Sequence, residues 1–406
     1  MLFGLLALVA CGSSTPPESN SVGGSSSQGG APSSGAGSTT GGAPNGSGGS
    51  ATAAGVGGRA EGGSSNSAAG SNSAAGAGDQ AGAPSSADPG VRWLGRVERT
   101  STGARFAWPG TGFVVRFQGT GLTANLKTTA EDDYFQVVVD DKVTLVTTKS
   151  GARSYDLAKN LTAGEHVVTF WRRTETVAGT VEVTSVDVVQ GKLLSPPAAP
   201  KKLIEVVGDS ITVGFGVDCS PDDTFDYSNE NNYLTYEAIS ARELGADVAT
   251  MAWSGIGMLR DDDGKTETQM PELYLRTIAS EDASKWNFST FVPDAVIVAL
   301  GTNDFATGDP GQAFVTAYTK FLDDVRGRYP KARLYLADSP MVDGDSLLNY
   351  LTQLKSARNS KGDNNVAVID FQPPEGDGWA CGHPNAATHK TMAATLKQAL
   401  KTDLGW

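Results

Sequence analysis

The sequence predicts an α/β fold, a parallel sheet covered by helices on both faces, preceded by a separate β-sandwich. Three observations carry that expectation. Apolar residues alternate with period two between residues 91 and 190. From residue 201 onward, strand-like and helix-like segments alternate. Between them lies a proline-rich break, LLSPPAAP at 193–200, which reads as a boundary between two folded regions.

Residues 1–11, MLFGLLALVAC, form a short apolar run. It is too short for a membrane-spanning helix, which needs about 20 apolar residues, and reads as the core of an export signal. Leu8-Val9-Ala10-Cys11 resembles a bacterial lipobox, in which Cys11 is acylated and becomes the mature N-terminus. The basic residues that ordinarily precede such a run are absent, which leaves the true start codon open. Residues 12–88 are almost wholly Gly, Ser, Ala, Thr, Asn and Pro. Such a segment buries too little apolar surface to offset its ordering entropy and is expected to be a disordered tether, with an r.m.s. span of roughly 50 Å for about 77 residues. The expected location is the bacterial cell envelope or the extracellular space, with membrane contact only through the N-terminal lipid.

In the sandwich region, Phe113, Val115 and Phe117 alternate with Val114 and Arg116, and Leu122, Ala124 and Leu126 and then Phe135, Val137 and Val139 repeat the pattern. Asp140-Asp141 between two such runs predicts a tight hairpin. Several short strands with turn signals and no helical period make a sandwich of about 100 residues. Trp93, Trp108 and Trp171 are expected to be core residues, and His166 to be structural.

In the second region, Leu203–Val207, Val248–Met251, Ala295–Leu300, Arg333–Ala337 and Val366–Asp370 read as strands. Helices are expected at Tyr233–Leu244, Gln312–Arg328, near Leu347–Ala357 and near Ala386–Leu400. The third of these strands is continuously apolar, as a strand buried on both faces must be. The helix at Gln312–Arg328 puts Phe314, Ala317, Tyr318, Phe321, Leu322 and Val325 on one face. This alternation implies a parallel sheet with functional residues at the carboxyl ends of its strands.

Composition narrows the function. The net charge of -13 opposes attraction to a phosphate backbone, so nucleic-acid binding is not expected. The chain holds three histidines without metal-ligand spacing, so no metal site and no cofactor is expected. Asp261-Asp262-Asp263-Gly264 lacks the acidic spacing of a calcium loop and reads as a solvated turn. Cysteine arithmetic agrees with export. With Cys11 lipidated, Cys219 and Cys381 remain as a pair, and a disulfide between them is expected in an oxidising compartment.

Three fragments carry chemistry: Gly208-Asp209-Ser210, Gly301-Thr302-Asn303-Asp304 and His383-Pro384-Asn385. A serine hydroxyl is a weak nucleophile until a base takes its proton, and the oxyanion then formed needs donors already in place. Serine, asparagine and histidine supply those roles, which points to an ester hydrolase. The flanking Asp209 and Asp304 are expected to hold their loops through backbone amides. There is no Gly-x-Ser-x-Gly elbow around Ser210, which argues against the α/β-hydrolase fold.

Residues 201–406 resemble the SGNH, or GDSL-type, hydrolases, which implies a three-layer α/β/α domain. Carried over block by block, the resemblance makes Ser210 the nucleophile, Gly255 in WSGIG and Asn303 in GTND the oxyanion hole, and His383 the general base. A β-sandwich directly ahead of such a domain resembles carbohydrate esterase family two, and implies a jelly roll followed by a deacetylase of polysaccharides and acetylated sugars. In one place the chain departs from the pattern. Relatives with a full triad place an aspartate two or three residues before the histidine, where this chain has Cys381 and Ala380. A Ser–His dyad supported by a backbone carbonyl is therefore expected, with Asp377 as the alternative support.

The resulting expectation is a monomeric esterase that removes O-acetyl groups from carbohydrate such as xylan, mannan or single sugars through an acyl-enzyme on Ser210. The alternatives are a lysophospholipase or general short-chain esterase, and a non-catalytic carbohydrate-binding protein. Trp379 and Trp253 are candidates for stacking on sugar rings, with Trp286 and Phe305 also near the site loops. His389 is expected to pack or hydrogen-bond rather than to catalyse.

Overall fold

The computed structural model describes residues 90–406 apart from Pro221 and Glu375. The expected signal segment, Cys11 and the tether lie outside the described residues. The first folded region is a sandwich of two antiparallel sheets. Its strands are β1 (Val91–Leu94), β2 (Glu98–Arg99), β3 (Ala104–Phe106), β4 (Gly112–Gly119), β5 (Gly121–Thr128), β6 (Asp133–Val139), β7 (Lys142–Thr148), β8 (Gly151–Ala158), β9 (Gly164–Arg172), β10 (Val181–Val189) and β11 (Lys192–Leu194). One sheet runs β1-β4-β9-β6-β7, with β11 also on β4, and the other runs β2-β3-β10-β5-β8. The region therefore extends to Leu194, into the proline-rich break. Alternation works as read: Phe113, Val115, Phe117, Leu122, Ala124, Leu126, Phe135 and Val137 are buried between the sheets. Phe113, Phe170 and Phe135 stack in a row, with centroids 5.0 and 4.3 Å apart. Asp140 and Asp141 have φ of 45° and 70°, as a two-residue type I′ hairpin requires. Asp140 also bonds His166 Nδ1, so this histidine stays in the sandwich framework.

The opposite face of the first sheet is also buried, because it lies against the second region. Leu94, Val114 and Trp171 share a cluster with Ile204, Val206 and Val248. Trp108 packs with Val207, Met251 and Trp286. Trp108 and Trp171 are thus core residues of the junction rather than of the sandwich interior, and each indole N–H has an acceptor across it: Arg276 O at 3.3 Å and Asn232 Oδ1 at 3.2 Å. Ion pairs Arg92–Asp247, Arg173–Asp218 and Arg96–Glu205 cross the same boundary.

The second region contains β12 (Lys202–Gly208), α1 (Ser210–Val213), α2 (Tyr236–Leu244), β13 (Ala246–Ala252), α3 (Met270–Leu273), β14 (Ala295–Ala299), α4 (Thr302–Ala306), α5 (Gly311–Arg328), β15 (Arg333–Ala337), α6 (Ser346–Ser360), β16 (Val366–Ile369), β17 (Trp379–Ala380), β18 (His383–Pro384) and α7 (Ala386–Leu404). The helix expected from Tyr233 starts at Tyr236, because Thr235 is extended at φ -75°, ψ 163°. The sheet is parallel in the order β13-β12-β14-β15-β16. Successive side chains point to opposite faces. Val207, Val296, Val298, Leu334 and Leu336 meet α5 and α6 on one side, while Ile204, Val206, Ile297 and Tyr335 meet α2 and α7 on the other. Three layers result. The chain leaves β12 toward β13 and then returns to its other side at β14, so strand order reverses at β12. Ligands bind at such a switch point, beyond the carboxyl ends of the strands.

Candidate active site

Register places the expected residues on three adjacent strand ends. Gly208 pairs with Ala252 on β13 and with Ala299 on β14. Ser210, Gly255 and Asn303 follow these positions by two, three and four residues. Ser210 opens α1, whose cap is Asp209, with Oδ1 accepting from the Ile211 amide at 3.1 Å. A Cβ on Gly208 would lie 2.0 Å from Thr212 Oγ1, so the turn into the serine has no room for a side chain.

His383 comes from the far end of the chain. Trp379 pairs with Pro384 and Ala380 with His383, leaving Cys381-Gly382 as a two-residue turn with φ of 47° and 74°. This is again the type I′ geometry. The hairpin presents His383 Nε2 to Ser210 Oγ at 2.9 Å. Nδ1 faces the Cys381 carbonyl at 3.3 Å, so the proton sits on Nδ1 and Nε2 is bare to accept from the serine. Phe215 lies against the imidazole, with centroids 4.4 Å apart, and stacks in turn on Phe225. Burial in this aromatic surrounding pushes the imidazole pKa down to about 4, opposed by its bond to the Cys381 carbonyl.

The same hairpin is tied down by a disulfide between Cys219 and Cys381. Asp377 does not reach the histidine: its side chain is exposed, and its backbone carbonyl accepts from Asn385 Nδ2 at 2.7 Å. The geometry is that of a dyad with a carbonyl behind the imidazole.

The loop after β13 carries Gly255 at φ 78°, a left-handed conformation that favours glycine. Asn303 is buried and donates one amide hydrogen to Ile256 O at 2.9 Å, which leaves the second. Asp304 accepts from the amides of Met258, Leu259 and Arg260 at 2.8, 2.7 and 3.0 Å, gathering this loop beside Asn303. Among the aromatic candidates, Trp379 stays open to solvent while Trp253, Trp286 and Phe305 pack on the core under α5. His389 is buried and accepts from the Tyr236 amide at 3.2 Å, a structural contact. Asp261 Oδ1 accepts from the Asp263 and Lys265 amides, which makes 261–265 a self-bonded turn.

Sequence reasoning passed over the buried polar groups that join the two regions. Arg96 and Glu205 are fully buried, with Tyr274 OH and Tyr329 OH donating to the carboxylate at 2.5 and 3.2 Å. Glu175, from the sandwich, reaches the loop that carries Gly255. A glutamate inside the apolar strand LIEVV was the available signal for the first. For Glu175 the sequence held none.

The fold and site define an ester hydrolase of the GDSL type, and comparison with known proteins agrees. Residues 93–197 match the family model described as carbohydrate esterase 2 N-terminal, and residues 206–391 match the GDSL-like lipase/acylhydrolase family. The structure of a family two carbohydrate esterase from Clostridium thermocellum in complex with cellohexaose is 33% identical, with a TM-score of 0.75, covering 78% of this chain and all of that one. The chain belongs to carbohydrate esterase family two. Cellulase/esterase CelE of Acetivibrio thermocellus is 33% identical over 335 residues, 80% of this chain, which spans 40% of that longer protein. An acetylxylan esterase/glucomannan deacetylase of Cellvibrio japonicus is 26% identical, covering 79% of this chain and 91% of that one.

Proposed function

We propose that the protein removes O-acetyl groups from carbohydrate through an acyl-enzyme on Ser210. The observation that carries this reading is the 2.9 Å hydrogen bond between Ser210 Oγ and His383 Nε2, with the Cys381 carbonyl 3.3 Å from Nδ1 on the other side of the ring. Nε2 takes the hydroxyl proton as Oγ bonds to the acetyl carbonyl carbon. The carbonyl oxygen becomes an oxyanion, stabilised by the Gly255 amide and the free hydrogen of Asn303 Nδ2. The intermediate collapses by breaking the bond to the sugar oxygen, which receives the proton from His383. Water then attacks the acetyl-serine with His383 again as base, releasing acetate and restoring Ser210.

The Cys381 carbonyl fixes the imidazole tautomer but offers the developing imidazolium less than a carboxylate would. Kinship with proteins named acetylxylan esterase/glucomannan deacetylase, and with a structure containing cellohexaose, supports carbohydrate as the carrier of the acetyl group. Trp379, solvent-open on the hairpin that carries His383, supplies in this proposal an aromatic face for a sugar ring. A monomer anchored through acylated Cys11 and exported to the cell envelope completes the proposal, supported by the lipobox-like run and the disulfide.

The test is acetate release from acetylated xylan and acetylated glucomannan, set beside p-nitrophenyl esters of increasing acyl length. Turnover of the acetylated polysaccharides with a steep fall beyond short acyl chains is expected. A preference for long acyl chains would replace this reading with the lipid-esterase one.

A further inference from the structure

Glu175 lies just beyond β9, in the sandwich, and is 2% exposed. A carboxylate at that burial is costly unless it is hydrogen-bonded. It is bonded to the α/β region: Oε2 accepts from the Ser254 backbone amide at 2.8 Å. Ser254 precedes Gly255, so only the φ and ψ of one residue separate this bond from the amide assigned to the oxyanion.

The base beneath Glu175 is fixed from several sides. Its own amide donates to the buried Glu230 carboxylate. Arg173 Nε donates to Glu230 O at 3.1 Å, and Arg173 Nη2 to Asp218 Oδ2 at 2.6 Å. Thr176 Oγ1 donates to Ala107 O at 3.0 Å. On the other side of the same loop, Asp304 and Asn303 hold residues 256–260. The segment carrying Gly255 is therefore clamped between its own domain and the sandwich.

We infer that Glu175 is a positioning residue for the oxyanion hole, so that the sandwich supplies part of the catalytic geometry rather than only a neighbouring module. This rests on the reading of Gly255 and Asn303 as oxyanion donors. A misplacement of about 1 Å at a catalytic group costs on the order of 100-fold, which bounds the effect of losing the clamp.

The experiment compares Glu175→Ala, Glu175→Gln and Asn303→Ala in the full protein, on an acetyl ester and with methylboronic acid as inhibitor. The boronate adds to Ser210 Oγ as a tetrahedral anion with an oxygen in the oxyanion position. Glu175→Ala is expected to lower kcat by roughly 10- to 100-fold, to leave KM within about twofold, and to weaken the boronate by a similar factor. Glu175→Gln keeps an acceptor for the Ser254 amide and should restore most of kcat. If Glu175→Ala fails to fold, Glu175→Asp carries the test, because withdrawing the carboxylate by one methylene breaks the same bond. Unchanged kcat and boronate affinity in the folded variant, with Asn303→Ala impaired, would overturn the inference alone. Unchanged behaviour of Asn303→Ala would overturn the oxyanion reading and this inference with it. A loss confined to KM would also overturn it, since a clamp on the oxyanion hole acts on the transition state.

Discussion

Removing the Cys219–Cys381 bridge should damage both stability and catalysis, and the structure separates the two. The bridge joins residues 162 positions apart, and in the chain-entropy model closing a loop of that length contributes about 5 kcal/mol. The catalytic effect comes from Cys381 itself. This residue holds φ of 47°, in a left-handed region that costs a non-glycine residue about 1–2 kcal/mol, and its carbonyl is the group behind His383. Without the covalent tie, a relaxation worth that much competes with the hairpin, and the carbonyl swings from Nδ1. The Cys219→Ser/Cys381→Ser variant should melt well below the parent. At a temperature where it remains folded, it should lose roughly 10- to 100-fold in kcat, the scale of a 1 Å misplacement, with KM little changed. Melting followed by circular dichroism, together with steady-state hydrolysis of an acetyl ester, reads both. A folded variant with kcat within about twofold of the parent would show that the hairpin alone aims the carbonyl and would refute the argument.

Four other outcomes follow from the structure. Because the folded imidazole is held near pKa 4, the base is neutral above that pH. Thus kcat/KM should stay level down to about pH 5 and fall as pH drops through about 4, and an acid limb at 6.5 or higher would contradict it. The unfolded imidazole takes up its proton near 6.5, so the burial of His383 also lowers stability as pH falls from there toward 4. Asp377→Asn should keep most of kcat, since its side chain points to solvent. A loss above about 100-fold with the fold intact would put a carboxylate behind the imidazole after all, as in triads that suffer the wrong tautomer. Arg96→Met leaves Glu205 buried without its cation. This should cost about 3–5 kcal/mol, or a melting point lower by roughly 6–10 °C at about 2 °C per kcal/mol, with part of the loss recovered in Arg96→Met/Glu205→Gln, which removes the unpaired charge and keeps an acceptor for the Tyr274 and Tyr329 hydroxyls. An unchanged melting point in the single variant would show that the pair contributes nothing across the junction.

Much of the architecture was readable because periodicity reports burial directly. The alternation of Phe113, Val115 and Phe117 and the helical face of Phe314, Tyr318, Phe321 and Val325 each mark a surface that must be covered, and each is. Ser210 and His383 meet as their blocks suggested, and Cys219 joins Cys381. The rest depended on contacts between residues far apart in the chain. Val114 looked like the outer face of a sandwich strand, and only the packing of Ile204 and Val206 against it explains its burial. Cys381-Gly382 carries the small-residue signature of a hairpin turn, yet nothing local says that its carbonyl will face an imidazole. Glu175 reads as one more charge after a strand until Ser254 is seen above it. Hydrophobic pattern fixes which faces are buried; it does not say which polar group across a junction will satisfy a given amide.

The most direct test of the whole account is the kcat for acetate release by Ser210→Ala, His383→Ala and the double variant on one acetylated carbohydrate. If a Ser210–His383 unit forms and resolves the acetyl-enzyme, each single change should cost roughly 10³-fold or more and the double should be little worse, because both disable one proton-transfer step. A Ser210→Ala enzyme with near-parental turnover, or losses that multiply in the double variant, would contradict it.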